Sequence, residues 1–315
     1  MQALSSFLRG LLFLLPLSAA DIVERAIAQP VGDSVVSFPS RESAGRTVTL
    51  RGVLWLADSP KGAVVLVHGS GGWSDHREGH YGRALKAAGY SALAIDSFGP
   101  RGISETVDDQ SRISATQMTV DAFAARRFLI EQGVPASRIA LMGFSKGGSV
   151  ALYAADRNFL PQVADRFAAT IPFYPGCNVR PRTPKPAATV FMALAEKDDY
   201  TGVKPCEALA QEYEKAGGKI DVKIYSGASH AFDGDPARTQ ALFLRSAENY
   251  VNCIVYLEDD GSMTYADKRY AEADPSLFAD VRKTCMRKGA SIWTNARQKQ
   301  AATRDVIEFL GRVFP

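Results

Sequence analysis

Gly143-Phe144-Ser145-Lys146-Gly147-Gly148 follows the apolar run 138–143 (RIALMG) and precedes a stretch of small residues, 149–155. A serine in the pattern G-x-S-x-G, between a strand and a helix, sits on a sharp, strained turn. That turn lifts Oγ above the end of a sheet and places helix N-terminal amides where negative charge develops. The chemistry this suits is nucleophilic attack on a carbonyl, with Ser145 as the nucleophile. A serine needs a base, and the chain has four histidines, His68, His76, His80 and His230. His68 ends an apolar run and opens His68-Gly69-Ser70-Gly71-Gly72, which suits a backbone oxyanion loop. His76 and His80 are spaced i, i+4 with no evident third ligand, so no metal site is expected. His230 follows the run 219–225 and comes last in the chain, as this topology requires. It is the expected base.

The third group must be an acid between Ser145 and His230, after a strand. Residues 193–201 (ALAEKDDYT) follow the run 189–195 and supply Asp198, with Asp199 and then Glu196 as alternatives. Asp198 is preferred because it stands three residues past the strand; it would fix the imidazole tautomer. The oxyanion donors are expected to be the backbone amides of Lys146 and Ser70. The Lys146 side chain, beside the nucleophile, either favours anionic substrates or points away with its helix, and the second reading is preferred. Arg101 lies in a loop after another strand, where open α/β sheets border their sites. It either holds a substrate carboxylate or ties its own loop to backbone carbonyls, and the second reading is favoured.

The elements that must position these residues are legible as alternating patterns. Apolar runs at 62–68, 90–96, 138–143, 168–173, 189–195 and 219–225 read as strands of a mostly parallel sheet covered on both faces. Residues 47–57 alternate and read as an antiparallel edge strand or hairpin. Met118, Ala122, Ala125 and Leu129 share one face of a helix over 115–132, and Val306, Phe309, Leu310 and Val313 do so near the C-terminus. Residues 79–88 and 204–216 are further helices. The sum is an α/β fold, with helices on both faces of the sheet. Residues 235–294 break the rhythm, and within them 253–266 reads as a hairpin turning at Asp259-Asp260-Gly261. This stretch is read as an insertion, either a cap over the site or a structural excursion.

Composition bounds the rest. The chain has 315 residues, 46% hydrophobic and 23% charged, with a net charge of +3. Disordered, collagenous and polytopic membrane chains are excluded, and interspersed charge gives no case for a nucleic-acid partner. Arg9, the apolar residues 11–17 and Ser18-Ala19-Ala20 read as an export signal cleaved after Ala20. A second small-x-small site, Ala26-Ile27-Ala28, follows. The apolar run is far shorter than the ~20 residues that span a bilayer, so no membrane association is expected after cleavage. Residues 21–315 would then form one domain. The four cysteines allow three connectivities. The simplest joins sequence neighbours, Cys177 with Cys206 and Cys253 with Cys285; the alternative is four buried thiols. No dinucleotide fingerprint or P-loop is present, so no cofactor is implied.

Together these motifs resemble the dienelactone hydrolase family of the α/β-hydrolase superfamily. The matching pieces are HGSGGW at 68–73, DSFGPRG at 96–102, GFSKGG at 143–148, FYPGC at 173–177, AEKDDYTGVKPC at 195–206 and SHAFD at 229–233. The resemblance covers roughly residues 45–234 and the final helix. It implies the α/β-hydrolase fold and the roles of nucleophile, acid and base for Ser145, Asp198 and His230. It also implies a bridge between Cys177 and Cys206, where exported relatives carry a cysteine pair. Two features depart from the family. Its name-giving enzymes carry cysteine at the position of Ser145, and residues 235–294 lie outside its common core. The expected activity is hydrolysis of a small ester or lactone through an acyl-enzyme. The alternatives are an acyltransferase or peptidase with the same residues, or a non-catalytic binding protein on a hydrolase fold.

Overall fold

A computed structural model describes residues 34–42, 45–271 and 274–315. The expected export signal at 1–20 lies outside them. The central sheet has eight strands in the order β1-β2-β4-β3-β5-β6-β8-β9. They are β1 (Ser34–Arg41), β2 (Thr47–Trp55), β3 (Ala63–Val67), β4 (Ser91–Asp96), β5 (Ile139–Phe144), β6 (Ala169–Phe173), β8 (Thr189–Ala195) and β9 (Ile220–Tyr225). From β4 to β9 every pairing is parallel, while β2 runs antiparallel to both β1 and β4. The stretch at 47–57 is therefore half of a hairpin but not the edge. The edge is β1, which lies N-terminal to every run the sequence pattern picked out.

Period-two alternation sends successive side chains to opposite faces, and each face has its own core. On one face Val64, Leu66, Met142, Phe144 and Ile171 pack with Tyr81 and Leu85 of α1 (His80–Ala87) and Val306, Phe309 and Leu310 of α6 (Ala296–Val313). On the other, Val65, Val67, Leu93 and Leu141 pack with Met118, Ala122 and Leu129 of α2 (Ala115–Glu131) and Val150 and Ala154 of α3 (Lys146–Ala154). The Ser114 hydroxyl opens α2 by accepting from the Gln117 amide at 3.0 Å, and Asn295 caps α6 in the same way. α4 (Lys204–Lys215) lays Leu209 and Tyr213 on Val190, Met192 and Leu194 of β8. β9 departs from expectation. It pairs in parallel with β8, but residues 221–224 are exposed, because it is the last strand and nothing pairs beyond it.

The excursion before α6 folds into its own elements. β10 (Leu242–Asn249) pairs antiparallel with β14 (Arg287–Ile292). β11 (Val255–Leu257) and β12 (Met263–Tyr265) form the expected hairpin, extended by β13 (Lys268–Tyr270). β11 also pairs in parallel with β7 (Val179–Pro181), which ties the excursion to the segment after β6. α5 (Pro275–Thr284) follows. Among the described residues, no helix is long and apolar enough to cross a membrane.

Both cysteine pairs are bridged, Cys177 with Cys206 and Cys253 with Cys285, across separations of 29 and 32 residues. Loops of that length correspond to roughly 3–4 kcal/mol of chain-entropy stabilisation each. Cys177→Ala combined with Cys206→Ala should lower the unfolding free energy by about 3 kcal/mol in urea titrations. A loss under about 1 kcal/mol would show that the bridge does not constrain the unfolded chain.

Candidate active site

β5 ends in the turn that carries Ser145, whose backbone sits at φ 54°, ψ −113°. A non-glycine residue rarely adopts a positive φ, so the surroundings must enforce it. They do so by close approach. A Cβ on Gly143 would stand 1.9 Å from the Gly147 carbonyl oxygen, and one on Gly147 would stand 2.2 Å from that of Val67. Only glycine at both positions lets α3 come this near to β5 and β3. The Ser145 amide donates to the Phe173 carbonyl at 2.9 Å, which pins the turn to β6.

Ser145 Oγ lies 2.9 Å from His230 Nε2, and His230 Nδ1 lies 2.8 Å from Asp198 Oδ2. The three come from the ends of β5, β8 and β9. Asp198 is buried, and its carboxylate is fully engaged. Oδ1 accepts from the Tyr200 and Thr201 amides at 2.8 and 2.9 Å, and Oδ2 also accepts from the Thr201 hydroxyl at 2.8 Å. Burial alone would raise its pKa; the facing His230 and the Thr201 donors outweigh that and hold it below the ordinary carboxylate range. The other two acids point elsewhere. Asp199 accepts from the Ser291 amide of β14 at 2.8 Å, and Glu196 accepts from the Gly227 amide at 2.7 Å.

Aromatic rings fix the imidazole from two sides. Tyr174 and Tyr200 lie 4.7 and 4.8 Å from it, centroid to centroid. The Tyr174 hydroxyl donates to fully buried Asp233 at 2.5 Å. Burial holds Asp233 above the usual carboxylate range, against the pull of Arg77. Arg77 pairs with buried Glu78 at 2.7 Å and lies over the Phe144 ring. Tyr174 and Asp233 stand inside the FYPGC and SHAFD pieces. Composition cannot separate a buried charge from a solvated one, so no role was legible for either.

The loop after β3 abuts the serine, and a Cβ on Gly69 would stand 3.2 Å from Ser145 Cβ. Among the described residues, no group accepts from the amides of Ser70 or Lys146. His68 stays structural. Its Nδ1 lies 2.9 Å from the Gly69 carbonyl and its Nε2 takes the Ser97 amide at 3.2 Å, while burial pushes its pKa down. His76 is exposed, 3.7 Å from Asp235, and His80 bonds Thr303 at 3.0 Å. Arg101 is not free for a substrate carboxylate. It forks onto buried Asp121 at 2.8 and 3.0 Å, reaches Glu42 at 3.2 Å and donates to the Ser97 carbonyl at 2.7 Å. The Ser97 carbonyl is the kind of partner the favoured loop-tying reading expects, and the two carboxylates are partners that reading does not include. Lys146 also differs from expectation. Its side chain folds back, and Nζ donates to Thr106 Oγ1 at 3.2 Å and to the Gln110 carbonyl at 3.1 Å.

The chain matches the model of the dienelactone hydrolase family over residues 50–257 and belongs to that family. The match runs through β10 to the end of β11, so it covers part of the stretch read as lying outside the family core. The protein usf of Aquifex pyrophilus is 31% identical over 115 residues, 33% of this chain. The chain spans about half, 46%, of that relative. Two solved structures share the fold. A thermophilic esterase of Thermogutta terrifontis is 17% identical with a TM-score of 0.52, covering 65% of this chain and 85% of its own. A dienelactone hydrolase-like promiscuous phosphotriesterase from metagenomic libraries is 16% identical with a TM-score of 0.56, covering 90% of this chain and 99% of its own.

Burial pushes the Lys146 ammonium down to about 7 from an ordinary 10.5. Between those values the unfolded chain holds a proton that the folded chain has released, so stability should rise with pH. Relative to Lys146→Met, the wild type should gain up to ~1 kcal/mol per pH unit from pH 7 to pH 9, and nothing from pH 5 to pH 6.5. Paired denaturant titrations would measure this, and parallel curves would mean that the ammonium is solvated.

Proposed function

We propose that this chain is a serine hydrolase that cleaves a small carboxylic ester or lactone. The observation that carries the reading is the hydrogen-bonded series Ser145–His230–Asp198, anchored on a serine held at positive φ. Ser145 Oγ attacks the carbonyl carbon and passes its proton to His230 Nε2. The amides of Ser70 and Lys146 take the oxyanion. As the tetrahedral species collapses, the C–O bond to the leaving alcohol breaks and His230 returns the proton to that alcohol. Water then repeats the sequence, with His230 as base, and releases the acid and free Ser145. In a lactone the leaving alcohol stays tethered to the acyl group. Asp198 keeps Nδ1 protonated and stabilises the imidazolium that forms twice per turnover. The family name supports a lactone or ester carbonyl, and an oxygen nucleophile in place of sulfur supports ordinary esters.

We also place the mature chain outside the cytoplasm. Two disulfides support this, since such bridges persist in oxidising compartments. Mass spectrometry of the exported protein should find an N-terminus at Asp21; an intact Met1 would overturn this placement.

Fluorophosphonate labelling tests the nucleophile. One adduct should form on Ser145 and none on Ser145→Ala, whose ester turnover should fall by about 10³-fold or more. Absence of an adduct on folded, disulfide-intact wild type would leave a binding protein on a hydrolase fold. Transfer of the acyl group to added methanol in preference to water would favour an acyltransferase.

A further inference from the structure

Four consecutive residues beside the site are each held by the excursion that precedes α6. The Glu248 amide donates to the Val107 carbonyl at 2.9 Å, and Lys288 Nζ donates to the Asp108 carbonyl at 2.9 Å. Arg282 of α5 faces the Asp109 carboxylate at 3.7 Å. The Gln110 amide donates to Glu248 Oε2 at 2.9 Å. Glu248 is itself buried; its Oε1 ion-pairs with Arg282 and Lys288, and its Oε2 accepts from the Tyr250 hydroxyl. Such a carboxylate is costly to bury unless it is paired, and here two cations face Oε1 while two hydrogen bonds reach Oε2.

The opposite side of the same segment grips Ser70 and Lys146, the two residues whose amides are proposed above to take the oxyanion. The Thr106 amide donates to the Ser70 carbonyl at 2.8 Å, and Ser70 Oγ donates to Gln110 Oε1 at 3.1 Å. Lys146 Nζ donates to Thr106 Oγ1 and to the Gln110 carbonyl. Gln110 Nε2 lies 3.5 Å from the hydroxyl of Tyr200, whose ring packs on His230. One side chain thus touches the oxyanion loop and the support of the base, while its backbone touches the residue after the nucleophile.

We infer that residues 106–110 transmit the excursion to the oxyanion hole, with Gln110 and Glu248 as positioning residues that set where the Ser70 and Lys146 amides stand during acylation. The inference rests on the serine-hydrolase reading above. In this arrangement the excursion is neither a lid nor a bystander; it is the outer wall of a brace. Misplacing donors by about an ångström costs rate in the transition state and leaves ground-state binding largely intact.

The test uses the full, oxidised protein. Gln110→Ala removes the Ser70 acceptor, Gln110→Glu keeps it, and Glu248→Gln keeps the shape while removing the charge. On p-nitrophenyl acetate, Gln110→Ala and Glu248→Gln should lower kcat about 10-fold and change KM by less than about 2-fold. The pH at which kcat/KM reaches half its plateau should not move, since neither Gln110 nor Glu248 bonds Ser145, His230 or Asp198 directly and the Asp198–His230 hydrogen bond remains. Gln110→Glu should recover most of the loss. Hydrogen exchange reads the same coupling without substrate: residues 68–73 and 145–147 should exchange faster in Gln110→Ala and Glu248→Gln, while 189–195 stay as in the wild type. A kcat within about 2-fold of wild type, a loss confined to KM, no recovery in Gln110→Glu, or unchanged exchange at 68–73 would each overturn the inference. Wild type that is neither labelled nor active would overturn the hydrolase reading instead, and the exchange result would still decide the brace.

Discussion

A turn that only two glycines permit governs the geometry of this molecule. Gly143 and Gly147 remove the atoms that would otherwise separate α3 from β5 and β3, and the serine between them is forced to positive φ. The strain is borne by the parallel sheet on which the turn is built. β3, β5 and β6 are buried on both faces, and a turn pinned to three buried strands cannot relax without disturbing two cores. The reach of Ser145 Oγ toward His230, the nearness of the Gly69 loop and the start of α3 all follow from that approach.

Charge plays two opposite parts around this turn. Asp198 is buried yet kept ionised, because each lone pair that faces the protein has a donor. Asp233 is buried and pushed toward its neutral form, with Tyr174 as its close partner. The two carboxylates flank one imidazole, the first by direct hydrogen bond and the second through a tyrosine ring. Environments that push neighbouring acids in opposite directions let one residue type hold an imidazole in one place and an aromatic wall in another.

What the sequence made legible is what short-range pattern controls. The G-x-S-x-G turn, the six apolar runs, the faces of α2 and α6 and the adjacent-cysteine pairing depend on residues near one another in the chain. Asp198 was separated from Asp199 by its distance from the end of β8, a local argument, and the geometry places Asp198 against His230. Long-range partners were illegible. Nothing local reveals that Arg101 meets Asp121, that Lys146 turns back onto Thr106, or that Glu248 lies beneath Gln110. β1 escaped because its alternation is exposed on one face and mixed with Pro39 and Ser40. The apolar residues of β9 resemble those of central strands, and only the sheet order reveals it as an edge.

The site is scattered along the chain, and that has a consequence for when it can exist. Ser145, Asp198 and His230 end three strands whose partners are all distant in sequence, and parallel pairing of this kind forms late in folding. β5, β6, β8 and β9 must stand side by side before the serine and histidine meet. A chain whose strands have not yet paired therefore holds Ser145, His230 and Asp198 apart. The Cys177–Cys206 bridge encloses β8 and the loop of Asp198 within one covalent ring. The bridge thus ties the loop of Asp198 covalently to the segment after β6, and what the sheet assembles by pairing is also held by a bond.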